Sequence, residues 1–368
     1  QGSLVSTTAG TRDGLLTSLR HGDELAGGHY RLYAKYQNRA ASPDPEPGVS
    51  AADDWTSMRA GFRYEKSLSK TDDLEVHGEM NQMDGSHRRV AASLATGDTQ
   101  VSPAEINGTS GYLLTRWTRS PSERSEVSVQ TYFDHLDRRE DGSYDFTQNT
   151  ASFEFQHRWT HGSGGELNWG ADYRRVWIDI SPAHAIRIPE EHPRANYSSV
   201  FVQEEWSLLD ETLVLTGGFK LEDNSLGGFS PAPSARVLWA PHRRFSAWAS
   251  ASRAPRAPSF AEGSTEFDIH ATRFIGQPAL VSLEQTSGLR NEILTAYELG
   301  GRVSPLRKVS LDIAAFRNRY DEAFALRLAE PFGDQRDGLR FLRVPLSFEN
   351  GSAICTRGVE GVVNWTPV

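Results

Sequence analysis

Eleven histidines, 39 lysines and arginines, 48 aspartates and glutamates and one cysteine supply the chemistry available to this 368-residue chain. The histidines that stand out lie in polar stretches: His87 beside Arg88 and Arg89 in "GSHRRV", His184, His192 with Glu190 and Glu191, and His270. A metal centre needs ligands brought together at workable spacing and steadied by further hydrogen bonds. These histidines are spread over three stretches with no HxxxH-like spacing, so no resident metal is expected. A basic loop that meets an anionic chelate is the sharper reading of His87, Arg88, Arg89, His184 and His270. Guanidinium forks match carboxylates two bonds at a time. The ordinary reading is a set of solvated loops. Cys355 sits in a strand-like stretch without an activating histidine, which predicts a buried, inert thiol. Nothing resembles GxSxG, a P-loop or GxGxxG, so neither catalysis nor a cofactor is expected.

A second group of charges falls inside alternating segments. In "HYRLYAKYQNRAA" (29–41), Tyr30, Leu32, Ala34 and Tyr36 take one parity, and Arg31, Lys35 and Arg39 take the other. Successive strand side chains point to opposite faces, so one face is greasy and one is charged. Glu204, Glu222, Glu298, Arg302, Asp312 and Glu360 are read the same way, on the polar parity of their strands. Arg253 and Arg256 in "SRAPRAPSF" stand where Pro255 and Pro258 break a ladder, and are expected to hold an interior partner or the base of a loop.

The elements that must position these residues are nearly all strands. "LEVHGEM", "EVSVQTYFD", "ELNWGADYR", "TLVLTGGFKLE" and "VSLDIAAF" alternate in the same way, and no comparable window keeps a period of 3.6. About sixteen strands are expected. Short turns at "GDELAGG", "LSKTDD", "SPSERS", "HGSGG", "LLDET", "APHRR" and "SPLRK" alternate with longer links at 42–53, 83–108, 181–195, 222–228, 254–291 and 329–350. Trp117, Trp159, Trp206, Trp239 and Trp365 each stand near the end of a strand running toward a short turn, the pattern of an aromatic girdle at a membrane interface. Together these features predict an all-β, antiparallel up-and-down transmembrane barrel with its greasy face to lipid and its charged face to a wet lumen. A soluble sandwich needs no alternation of short and long connections, and a propeller packs four short strands where this chain places two long ones.

The bulk numbers agree. Mean hydropathy is −0.52, and no stretch reaches the eighteen or so apolar residues of a membrane helix, which leaves barrels open. A net charge of −9 argues against nucleic acid as a partner. No signal peptide is evident in "QGSLVSTTAG", as in any mature or truncated chain.

Two long stretches, "YSSVFVQEEWSLLDETLVLTGGFKLEDN" (197–224) and "PSARVLWAPHRRFSAWASASRAPRAPS" (233–259), resemble the barrel of TonB-dependent outer-membrane receptors. "LTAYELGGR", "VSLDIAAFRNRYDE" and "GSAICTRGVEGVVNWTP" continue the resemblance in order, and "YRLYAKY" with "DDWTSMRAGFRYE" resembles the early strands. The resemblance covers essentially all of 1–368. It implies an energised importer in the outer membrane of a Gram-negative bacterium. A barrel of about 22 strands would enclose a plug, bind a scarce small molecule or metal chelate (siderophore, cobalamin or glycan) in outer loops, and be driven by the TonB energy-coupling protein through an N-terminal box. On that plan Arg31, Lys35, Glu204, Arg253, Arg256, Glu298, Asp312 and Glu360 face the lumen or plug. Roughly sixteen of 22 strands, with no plug before Gln1 and no terminal aromatic strand at Val368, suggest a fragment of the barrel or one piece of a broken gene. A passive porin and, further off, a soluble propeller binding module are the competing readings.

Overall fold

The computed structural model describes residues 2–43, 51–162, 164–182, 186–188 and 192–366. Nine strands open the chain: β1 (Gly2–Gly10), β2 (Gly14–Leu25), β3 (Gly28–Arg39), β4 (Trp55–Ser67), β5 (Asp72–Ser93), β6 (Asp98–Ser122), β7 (Ser125–Glu140), β8 (Tyr144–His161) and β9 (Gly165–Pro182). The middle holds β10 (Ile186–Arg187), β11 (Arg194–Leu208), β12 (Leu213–Asn224), β13 (Gly228–His242) and β14 (Phe245–Arg256). An insertion follows, with α1 (Phe260–Ser264), β15 (Glu266–Phe274) and β16 (Gln277–Glu284). The last strands are β17 (Glu292–Leu306), β18 (Val309–Leu328), β19 (Phe332–Arg336) and β20 (Leu339–Trp365).

All twenty strands join one sheet. Sixteen of them form an antiparallel meander, β1 through β9, then β11 to β14, β17, β18 and β20, each paired with the next. That matches the sixteen expected, and a single sheet of this kind contains no propeller blades. Among the described residues no ladder joins β1 to β20, so the sheet is open. No helix is long and apolar enough to cross a membrane, which says nothing of a β-barrel.

The seven short turns read from sequence all fall at one end, here the inner end. The first is the two-residue link Ala26–Gly27, with φ of 52° and 76°. That left-handed pair is the hairpin geometry whose twist matches the flanking strands. At the opposite, outer end two expected long links are not loops. Residues 83–108 continue β5 and β6 as a paired ribbon, from Met83 opposite Gly108 to Ser93 opposite Asp98. Outside the expected apolar band no alternation is required, so a polar, Gly-containing stretch still pairs. Residues 222–228 close as a tight turn, with the Asn224 side chain accepting from the backbone N–H of Leu226 and Gly227. The link between β7 and β8 at the same end is also short, so short and long connections do not strictly alternate.

The register separates two faces. Leu32, Met58, Met80, Leu113, Phe133, Val202, Phe219, Val237 and Leu299 share one face and are all exposed. The other face carries a polar mesh. Arg116 Nε donates to Gln130 at 3.0 Å, Gln156 to Asn168 at 3.0 Å, Trp248 Nε1 to Glu298 at 2.6 Å, and Tyr33 reaches across Gly61 to Glu79. Gly61 permits that reach, because a Cβ there would stand 2.5 Å from the Tyr33 hydroxyl. Both faces are therefore as the alternation predicts.

Candidate functional site

The outer end is where separated segments converge. In a flat sheet β6 and β14 would stand about 34 Å apart, at roughly 4.8 Å per strand. Yet Thr99 Oγ1 on β6 lies 2.7 Å from His270 Nδ1 on β15, in the insertion that follows β14. Arg273 of β15 also donates to the Thr96 carbonyl at 3.3 Å. The sheet and its outer segments thus bend round a mouth, and the tip of the β5–β6 ribbon meets the insertion. Ala271, Leu280 and Phe341 form a small buried core at this junction, with Ala92 and Leu94 of the ribbon packed against it.

An ion lattice fixes the same region. Asp268 is 5% exposed and takes bonds from Arg187 (3.3 Å) and Arg336 (2.5 Å), which come from β10 and β19. Arg187 also donates to Glu266 at 2.9 Å. Burial opposes the Arg187 charge, but Glu266 and Asp268 outweigh it and push its pKa up. Arg343 of β20 bridges Asp334 at 2.8 Å and Glu284 at 3.0 Å, while β16 pairs in parallel with the outer part of β20. Three outer connections are therefore tied to one another by ion pairs and a shared ladder. At its base Asn291 donates to Ser230 Oγ at 2.9 Å and accepts from Asn224, and Ser259 with Glu262 forms a capping box that starts α1.

A second cluster lines the polar side of the ribbon base. Glu140 receives His87 Nε2 at 2.9 Å and Arg138 at 2.9 Å, and Arg89 donates to the Asp141 carbonyl at 3.0 Å. Burial works against the Glu140 charge, yet Arg138, Ser143 and His87 hold its carboxyl below the usual range. His87 Nδ1, Arg89 Nε and Arg138 Nε are buried with no hydrogen-bond partner among the described residues. Arg138 lies over the Tyr144 ring at 5.8 Å. The Arg138 side chain is 42% exposed on the polar face, so its guanidinium stays reachable beside Glu140, the chemistry that receives an anionic ligand.

The structure sorts the residues singled out from sequence. His87 and Arg89 share the polar side near Glu140, whereas Arg88 takes the opposite face of β5. His270 is bound to the ribbon at Thr99. His184 lies outside the described residues, as do Glu190 and Glu191. Among the described residues no three His, Cys, Asp or Glu side chains are grouped to hold a metal. Arg31, Lys35, Glu298, Asp312 and Glu360 fall on the polar face, where Asp312 pairs with Arg302. Arg256 holds the loop base by bridging Glu262 and Glu292.

Three expectations need correction. Glu204 stands opposite Leu167 and Gly217, in line with Val202 and Trp206, so it occupies the apolar face and pairs there with His161 at 2.6 Å. Arg253 stands opposite Thr295, one step along from the Ala251–Tyr297 pair, also on the apolar face, and donates to the Pro231 carbonyl. Around Arg253 both parities are polar or small, so alternation had no anchor, whereas Glu204 shares the parity of Val200, Val202 and Trp206, which already marked it as outward. Cys355 is exposed rather than buried, because it too lies on that outward face. Trp117, Trp159, Trp206, Trp239 and Trp365 all lie on the apolar face toward the inner end. The Asp268 lattice, Glu140 and Arg138 were missed, since their partners are distant in sequence.

The profile of the family described as TonB dependent receptor-like, beta-barrel, matches residues 7–366. The chain belongs to that family. The receptor barrel sits in the outer membrane, and its family is one of receptors. No curated protein sequence matches it. Its fold is similar to that of the siderophore receptor PirA from Pseudomonas aeruginosa, with a TM-score of 0.71, 13% identity, and coverage of 98% of this chain and 61% of that one. The ferric enterobactin receptor PfeA of the same species, solved with enterobactin, gives 0.74, 14%, 98% and 59%. The Serratia marcescens hemophore receptor HasR, solved with its hemophore HasA and heme, gives 0.73, 12%, 100% and 61%. The receptor barrel thus spans less than two thirds of the length of each.

Proposed function

We propose that this chain forms the barrel of a TonB-dependent outer-membrane receptor that takes up a scarce nutrient, captured at the mouth as an anionic metal chelate of the siderophore class. The observation that carries this reading is the cluster of His87, Arg89 and Arg138 around Glu140, set beneath an ion-locked roof of outer segments. A passive pore gains nothing from a roof tied across its mouth by the Thr99–His270 and Arg273–Thr96 bonds. The polar wall, with Arg31, Lys35, Glu298, Asp312 and Glu360, would face a plug, and energy would come from TonB acting on that plug.

The test is equilibrium binding of a panel of ferric siderophores, anionic and neutral, to the full-length receptor in detergent. An anionic ferric chelate is expected to bind, and R89A/R138A to weaken it about tenfold or more. Equal affinity of the variant, or no binding by any member of the panel together with ohmic ion conductance in planar bilayers, would favour a passive porin.

A further inference from the structure

The outward face changes character abruptly on its last strands. From the inner end, β17, β18 and β20 present Leu299, Ile313, Val359 and Val363, with Trp365 at the inner rim. Beyond Ala315 the next two outward positions on β18 are Arg317 and Arg319, and beyond Val359 the next on β20 is Arg357. Arg253 of β14 completes the group, two strands from Arg319 through Thr295. From Trp365 to Arg357 is nine residues, the number a tilted barrel strand needs to cross the hydrocarbon. The arginines therefore stand at the outer boundary of the apolar band, level with Tyr297, which is 54% exposed.

Among the described residues this charge is only partly balanced. Arg317 and Arg357 are direct cross-strand partners, an arrangement of like charges that is destabilising unless a counter-charge lies between them. Among the described residues neither has an ion-pair partner. Asp321 is the one carboxylate paired within the group, to Arg319 at 2.9 Å. Elsewhere on the outer rim the outward face mixes the two signs: Arg139 pairs with Asp137 at 3.5 Å, and Asp84 and Asp179 share their strands with Arg88 and Arg175. An arginine facing lipid snorkels to the interface, where the available anions are phosphates, and its planar fork binds phosphate two bonds at a time.

We infer that Arg317, Arg357 and Arg319, with Arg253 beside them, form a docking site on the outer wall of the barrel for the phosphate groups of a phosphorylated lipid in the outer leaflet. The inference rests on the membrane placement of the barrel and is independent of which nutrient it carries. The site would hold a lipid at one fixed position on the circumference, next to the ion-locked outer segments.

The test is native mass spectrometry of the full-length receptor in neutral detergent, titrated with a diphosphorylated glycolipid and with the same lipid after dephosphorylation. Wild type is expected to retain the phosphorylated form at least about tenfold more tightly. R317A/R357A is expected to lose that preference, and R139A, which removes an outward arginine on β7, to keep it. Heat-modifiable migration on gels verifies that each variant is folded. R317K/R357K guards against a purely structural effect and is expected to restore part of the preference. Equal retention of both lipid forms by wild type would overturn the inference, as would an unchanged preference in folded R317A/R357A. Saturation by inorganic phosphate alone, with no added effect of the lipid, would overturn it too.

Discussion

At the scale of single residues the mouth depends on a few shared carboxylates. Asp268 holds two arginines from two other segments and is almost sealed from solvent, so Asp268→Ala leaves both cations without their common partner. Removing one member of a buried ion group typically costs about 2–4 kcal/mol. Hydrogen exchange should therefore speed up through 266–270 and 332–336 while the lower strands stay protected. Glu140 gives a pH signature. Its native pKa is lowered, so its contribution to stability is present above the ordinary value of 4.5 and lost as pH falls through the lowered native value. The gap in melting temperature between wild type and Glu140→Gln should be open at pH 7 and close as the pH drops below 4.5. Little of this was legible in sequence. Asp268 is one acid in the alternating run "EFDIH", and its partners lie 81 and 68 residues away.

At the scale of elements the sequence was most informative where lipid imposes a rule. Strands that cross hydrocarbon must alternate, which is why sixteen of them and all seven inner turns could be read. Outside the membrane that rule lapses. The β5–β6 ribbon looked like a loop because its sequence is polar, and the 225–227 turn looked long because Asn, Ser and Gly cluster there. Arg253 failed for a related reason: "SRAPR" offers polar or small residues on both parities, and only the neighbouring strand decides its face. Glu204 is different, since Val202 and Trp206 on the same parity already mark it as outward. The ribbon is also a separable structural unit. Its tip holds the insertion through Leu94, Thr96 and Thr99. Replacing 89–102 with a two-residue Asn-Gly turn, which keeps Arg88 opposite Pro103, should leave the barrel folded and heat-modifiable. It should also expose 266–284 to limited proteolysis. Unchanged cleavage of that segment would show that the ribbon does not support the roof.

At the scale of the whole molecule the design is one sheet with two solvents. Large apolar side chains are exposed by the dozen, an arrangement a water-soluble chain avoids and a lipid-facing wall requires. The polar face is knit by cross-strand bonds that survive in a hydrated interior. Inner-end tryptophans and outer-end arginines bracket the apolar band between them, which fits an asymmetric bilayer. The most direct measurement places single spin-labelled cysteines in the full-length receptor, with Cys355→Ser as background, reconstituted into bilayers. Leu32→Cys, Val129→Cys and Leu215→Cys report on one face, and Arg31→Cys, Gln130→Cys and Lys220→Cys on the other. The account predicts that the first three labels relax with oxygen dissolved in lipid and ignore a water-soluble nickel chelate, and that the other three do not show this lipid signature. Labels at 31, 130 and 220 in lipid, with those at 32, 129 and 215 shielded from it, would contradict the account.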